Sequence, residues 1–353
     1  MTDVMIHIGL HKTASTFLQK RVFPNSFAGT DIDYNPRSLM EALIPIFEFE
    51  CDSDAWLHMA RQRFENWKAN SKGKCLFLSA ESFSQLLYTQ NYQEQAQRLN
   101  QIFGEIRIVV LIRNQFDWLL SVYKKTLKSG DYQSFEEFVN WDAARANFAI
   151  CERRFKSTGL LTIDVEKADW NALYYSLNAS SQDVKVLLYE DLRKDMQGQL
   201  QILSEWCGVS LSVDNLRHQR AVNRGISSCS IRWLLAYAGL KQSLGFEGGY
   251  LKRYKMKQSD YSDMNDYFSS RRKTLSLSQL AVREISRIID RFTLYRLLQL
   301  CDPILQKLMR TPTDQMTVLR NEVMAVHHRS NEELFKVLRR RFPKSYQYHE
   351  RGE

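Results

Sequence analysis

The chain has 353 residues, 44% of them hydrophobic and 25% charged, with a formal net charge of +9. No apolar run reaches the roughly 20 residues that span a bilayer. Asp3 and His7 interrupt the first apolar run, whereas a secretory signal would show a basic start and a longer apolar centre; a soluble cytoplasmic protein is expected.

The first element predicted is a strand over Val4–Gly9. A short loop follows, in which Lys12 leads into Thr13, Ser15 and Thr16 at the start of a helix over Ser15–Arg21. Backbone N–H groups at such a helix start point outward together and favour a bound phosphate. Lys12 adds a full positive charge and the hydroxyls add donors. The nucleotide-triphosphate loop G-x-x-x-x-G-K-[ST] is absent, since Lys12 comes only three residues after Gly9 and no Gly-Lys-Ser/Thr follows. That weakens a nucleotide or small-molecule kinase, which stays the alternative among enzymes.

Helical patterning over Ala55–Ala69 precedes a strand over Lys74–Ser79, after which comes Glu81. A helix over Tyr92–Phe103 is followed by a strand over Ile106–Ile112 that ends at Arg113, and then by a helix over Gln115–Lys128. A further strand is predicted over Val184–Tyr189. These strands are near-continuous apolar runs, as in a parallel sheet buried on both faces. Their alternation with helices predicts an α/β three-layer sandwich around a central parallel sheet.

After about Arg224 the pattern turns helical, over Ile231–Leu244, Leu277–Leu300 and Asn331–Arg341, with a loop or cover near 245–270. The expected organisation is a single domain over 1–353, with a nucleotide-binding core over 1–225 and a mostly helical portion over 226–353. Cys51, Cys75, Cys151, Cys207, Cys229 and Cys301 form no CxxC pair and no zinc-spaced cluster. Reduced thiols and no metal are expected. The basic surplus favours an anionic ligand or surface, whether nucleotide, nucleic acid, acidic glycan or membrane. A basic nucleic-acid-binding protein is thus an alternative from another class, although no zinc finger or RNA-recognition pattern occurs.

The segment from Lys12 to Thr16 resembles the 5′-phosphosulfate loop of sulfotransferases, commonly Lys-[Ser/Thr]-Gly-[Ser/Thr]-Thr after a strand. Lys12, Thr13, Ser15 and Thr16 match in place, and Ala14 stands where the family usually has Gly. The loop is expected to keep ordinary backbone angles there. Arg113 and Ser121, eight residues apart, resemble the pair that grips the 3′-phosphate of 3′-phosphoadenosine 5′-phosphosulfate (PAPS). A guanidinium suits that task because it binds phosphate oxygens bidentately. Val186–Leu192 resembles a core strand and turn of the family, and Arg220, Asn223 and Arg224 resemble a basic loop closing over the nucleotide.

The resemblance implies a P-loop-type sulfotransferase, closest to bacterial carbohydrate-type members. It would move a sulfuryl group from PAPS to an acceptor hydroxyl by in-line transfer, without a metal, and release adenosine 3′,5′-bisphosphate. The expected acceptor is a small molecule, glycan or glycolipid, with no nucleic-acid partner. Lys12 would stabilise the leaving phosphate. Glu81, at a strand's carboxyl end where ligands gather, is the first choice for general base. His11 is the rival base, and Glu41 comes third.

Overall fold

The computed structural model describes residues 3–49, 54–71, 74–84, 92–128, 133–142, 144–145, 147–148, 162–211, 227, 230–236, 298, 301 and 314–348. The expected loop Arg220–Asn223–Arg224, the cover near 245–270 and most of the helix over Leu277–Leu300 lie outside these residues. The chain separates into two compact units that interleave in sequence. One comprises Met1–Trp118, Glu166–Arg220 and Met324–Glu353; the other comprises Leu119–Val165 and Ala221–Val323.

The first unit is built on a five-stranded parallel sheet. Its strands are β1 (Val4–Ile8), β2 (Ile32–Tyr34), β3 (Cys75–Ala80), β4 (Arg107–Ile112) and, after a two-stranded hairpin (β5 Trp141–Asp142, β6 Asn147–Phe148) in the second unit, β7 (Asp183–Leu188). Their spatial order is β2-β3-β1-β4-β7. Every residue of β1 is buried, so the sheet needs cover on both faces. On one face Met5, Phe77, Val109, Leu111 and Leu187 pack in one cluster with Leu18, Val22, Phe23 and Phe27 and with Leu200, Leu203 and Trp206. These come from a π turn over Leu18–Val22, which follows α1 (Ser15–Phe17), from α2 (Phe23–Phe27) and from α10 (Met196–Cys207). The alternate strand residues, among them Ile6, Leu76, Leu78, Ile108 and Val110, are fully buried as well.

Further helices complete the α/β architecture: α3 (Arg37–Phe49), α4 (Asp54–Asn70), α5 (Tyr92–Phe103), α6 (Gln115–Lys128), α7 (Phe135–Phe138), α8 (Trp170–Asn178), α9 (Tyr189–Lys194) and α11 (Asp314–Val337). Three sequence boundaries need correction. The short edge strand β2 was not expected, because three residues give no readable alternation. The first helix is broken into α1, a π turn and α2. The helix expected over Asn331–Arg341 is the end of α11, which stops at Val337. Among the described residues no helix is long and apolar enough to cross a membrane, and Cys75, Cys207 and Cys301 are free.

One buried side chain makes the fold acid-sensitive. His7 is fully buried on β1, with Nδ1 2.6 Å from Ser79 Oγ. Burial lowers its pKa from 6.5 to about 3, against a smaller upward pull from the Glu81 carboxylate. A histidine held neutral when folded binds its proton only on unfolding, so stability falls as pH drops from 6.5 toward 3. Urea unfolding at pH 7 and pH 5 should show this loss, and His7→Gln should remove most of that slope. An unchanged slope in His7→Gln would assign the acid sensitivity to other groups.

Candidate active site

The site begins where β1 ends. In the parallel register Ile8 pairs with Ala80 of β3 and with Val110 of β4, so Gly9, Glu81 and Arg113 all follow the same edge of the sheet. Strand connections diverge here: β1 leads toward β2 and β3, while β4 leads toward β7. Ligands of open α/β sheets gather at such a divergence, outside the carboxyl ends of the strands.

Gly9 extends the ladder by donating its N–H to the Ala80 carbonyl (3.3 Å). A Cβ on Gly9 would lie 2.9 Å from both Ser15 Cβ and Ser15 Oγ, so the chain doubles back this closely only because residue 9 has no side chain. The turn between them places Lys12 and Ala14 in the left-handed region, each with φ 67°. Left-handed residues in a tight turn gather backbone N–H groups into an anion-binding concavity.

The expectation of ordinary angles at Ala14 is thereby corrected. Closing a loop this short over Gly9 requires positive φ, which an L side chain resists by roughly 1–2 kcal/mol. Replacing Ala14 by Gly should therefore raise stability by about 0.5–1 kcal/mol, after the greater chain entropy of glycine is subtracted. Thermal unfolding of Ala14→Gly checks this, and a lower melting temperature would contradict it.

The loop is braced from three directions. From within, Thr13 Oγ1 and Ser15 Oγ donate to the Leu10 carbonyl at 2.7 and 2.8 Å, and both residues are buried. Their hydroxyls thus hold the loop's own backbone. From β3, Glu81 reaches the loop with both carboxylate oxygens: Oε2 lies 2.7 Å from His11 Nδ1, and Oε1 accepts from Thr16 Oγ1 at 3.2 Å. From the β4 side, Trp118 Nε1 donates to the His11 carbonyl (2.8 Å) and Arg113 Nη1 to the Lys12 carbonyl (3.2 Å).

Arg113 is itself held in place. Its guanidinium lies over the Tyr189 ring, with Cζ 4.6 Å from the centroid, and its carbonyl accepts from Trp170 Nε1 at 2.7 Å. Trp118 and Trp170 meet edge to face at 5.4 Å, so two touching indoles tie the loop backbone and the Arg113 backbone together. Glu190 accepts from the Asn114 N–H (2.9 Å) and from the Tyr346 hydroxyl (3.1 Å). Asn331 of α11 exchanges amide hydrogen bonds with Gln115 at 2.7 and 3.1 Å.

The structure therefore brings together His11, Lys12, Thr13, Ala14, Ser15, Thr16, Glu81 and Arg113. Ser121 lies half-buried on α6, in the second unit. Glu41 pairs with Arg37 on α3 at 2.8 Å, an (i, i+4) pair of the ordinary helix-surface kind. Sequence reasoning missed Trp118, Trp170, Tyr189 and Tyr346. Nothing in their local pattern shows that an indole or phenol will meet a partner 57 to 156 positions away. Among the described residues no His/Cys/Asp/Glu group could hold a metal ion.

No protein-family model matches this chain, and no curated protein matches it. Two solved structures are similar. A sulfotransferase from Alicyclobacillus acidocaldarius shares 15% identity over 69% of this chain and 96% of that one, with a TM-score of 0.40. The sulfotransferase domain from the curacin biosynthetic pathway shares 12% identity over 62% of this chain and 79% of that one, with a TM-score of 0.33. Both of these structures to which the chain is similar are sulfotransferases.

Proposed function

We propose that this chain is a sulfotransferase that moves a sulfuryl group from PAPS to an acceptor hydroxyl. The observation that supports it most is the Gly9–Thr16 loop, turned through two left-handed residues at a strand divergence and tied to Glu81 on one side and Arg113 on the other. The residues suit a doubly phosphorylated nucleotide. Arg113 stands at the strand end with its guanidinium held over the Tyr189 ring, and a planar guanidinium suits phosphate oxygens. PAPS supplies an activated sulfuryl group on a phosphate leaving group.

In this reading the loop N–H groups and Lys12 hold the 5′-side phosphate and neutralise the charge that builds on it. Arg113 binds the 3′-phosphate, with Ser121 the proposed second contact, and Arg220, Asn223 and Arg224 stay proposed as a covering loop. Both oxygens of Glu81 are engaged by the loop, which suits a carboxylate that orients an imidazole. We therefore assign proton acceptance to His11, with Glu81 stabilising the imidazolium that forms. This ordering differs from the sequence-based preference for Glu81 as the base. The acceptor class, a hydroxyl of a carbohydrate or other small molecule, and the cytoplasmic setting rest on the resemblance and the composition alone.

The test is nucleotide selectivity. Adenosine 3′,5′-bisphosphate at about 100 times its Kd should stabilise the fold by about 2.7 kcal/mol, without Mg²⁺. ADP, which lacks the 3′-phosphate, should give much less. Equal stabilisation by ADP, or a strict need for Mg²⁺, would point to a kinase instead.

A further inference from the structure

A groove of about 530 Å³ runs between α5 and the end of α8 in the first unit, away from the phosphate loop's residues. Gln93, Gln97, Asn100 and Gln101 line one wall, and Tyr175 and Ser176 belong to the other. Among the described residues no charged side chain lines it, although a quarter of the chain is charged. Gln93, Gln97 and Gln101 follow each other at four-residue intervals, so they rise along one side of α5 about 6 Å apart. A hydrogen bond joins the walls: Asn100 Nδ2 donates to the Ser180 carbonyl (3.0 Å). Tyr175 is 50% exposed, and its ring meets Tyr174 edge to face at 5.6 Å.

We propose that this groove binds a neutral oligosaccharide. Each glutamine amide offers two donors and an acceptor side by side, which matches the mixed donor and acceptor character of adjacent sugar hydroxyls. The tyrosine provides a flat apolar face with a polar tip, suited to the C–H face of a sugar ring. An anionic glycan or a nucleic acid would call for Lys or Arg in the walls, and among the described residues none lines them. The volume lies within the usual range of small-ligand sites, roughly 300–1,000 Å³. The groove's binding does not depend on the sulfotransferase reading.

The experiment measures maltohexaose, cellohexaose and chitohexaose binding by calorimetry and by saturation-transfer NMR. At least one should bind saturably, with Tyr175→Ala weakening it tenfold or more and Gln97→Ala weakening it severalfold. Both replacements are on the surface, and circular dichroism checks that the fold persists. Adenosine 3′,5′-bisphosphate binding should be unchanged in Tyr175→Ala, and oligosaccharide binding unchanged in Lys12→Ala. The inference is overturned if none of the three sugars binds, or if both groove variants bind like the wild type. Loss of sugar binding in Lys12→Ala would also overturn it, by locating the sugar at the phosphate loop.

Discussion

Replacing His11 by asparagine is expected to lower kcat by about 10²–10⁴-fold, the usual cost of losing a general base, with adenosine 3′,5′-bisphosphate binding retained. Asparagine preserves a polar side chain of similar reach but cannot accept the proton of an attacking hydroxyl. Glu81→Gln should be milder, because the imidazole remains while the charge that stabilises its protonated form is gone. The double replacement distinguishes this arrangement from two independent contributions. If Glu81 acts through His11, the His11→Asn/Glu81→Gln protein should be no slower than His11→Asn alone, since residues that act as a unit are non-additive. A fully inactive Glu81→Gln beside an active His11→Asn would return the base to Glu81. Single-turnover rates with labelled PAPS and an accepted hydroxyl compound give the comparison.

The second large effect separates Lys12 from Arg113. In the proposed reading Lys12 faces the charge that develops during transfer, so Lys12→Ala should reduce kcat by about 10²–10³-fold, in the range for a lost electrostatic donor. Alanine tolerates positive φ no better than lysine, so the backbone strain at that position is little altered. Arg113→Ala would remove the proposed 3′-phosphate contact, which is remote from the reacting sulfur. Charge-assisted hydrogen bonds are worth about 1.5–3 kcal/mol, which corresponds to roughly 10–100-fold weaker nucleotide binding. Some additional loss should follow because Arg113 also braces the Lys12 carbonyl. Calorimetry for nucleotide affinity, beside saturating kinetics, resolves the two profiles. Indistinguishable profiles would mean that one of the assigned roles is misplaced.

The strands show how much of the fold could be read from local pattern. The runs expected over Val4–Gly9, Lys74–Ser79, Ile106–Ile112 and Val184–Tyr189 correspond to β1, β3, β4 and β7 within a residue or two at each end. A strand buried on both faces must be apolar at every position, and that requirement is visible in five or six consecutive residues. The helices over Tyr92–Phe103 and Gln115–Lys128 were readable for a related reason: each carries an apolar stripe at helical spacing. The edge strand β2 escaped, being three residues long and buried fully only at Ile32.

The amino-acid sequence by itself determined the buried parallel strands, the loop with Lys12 and its hydroxyls, and the strand-end position of Arg113. Those features depend on residues that are neighbours in the chain, where side-chain type acts directly on backbone preference and burial. Tertiary structure alone decided the order β2-β3-β1-β4-β7, the left-handed turn at Ala14, the contact of Glu81 with His11 across 70 positions, and the indole pair that ties the loop backbone to that of Arg113. Each is a contact or a strain that no single segment specifies. It is accepted only because closing the loop over Gly9 and burying Trp118 and Trp170 together satisfies backbone groups that would otherwise lack partners.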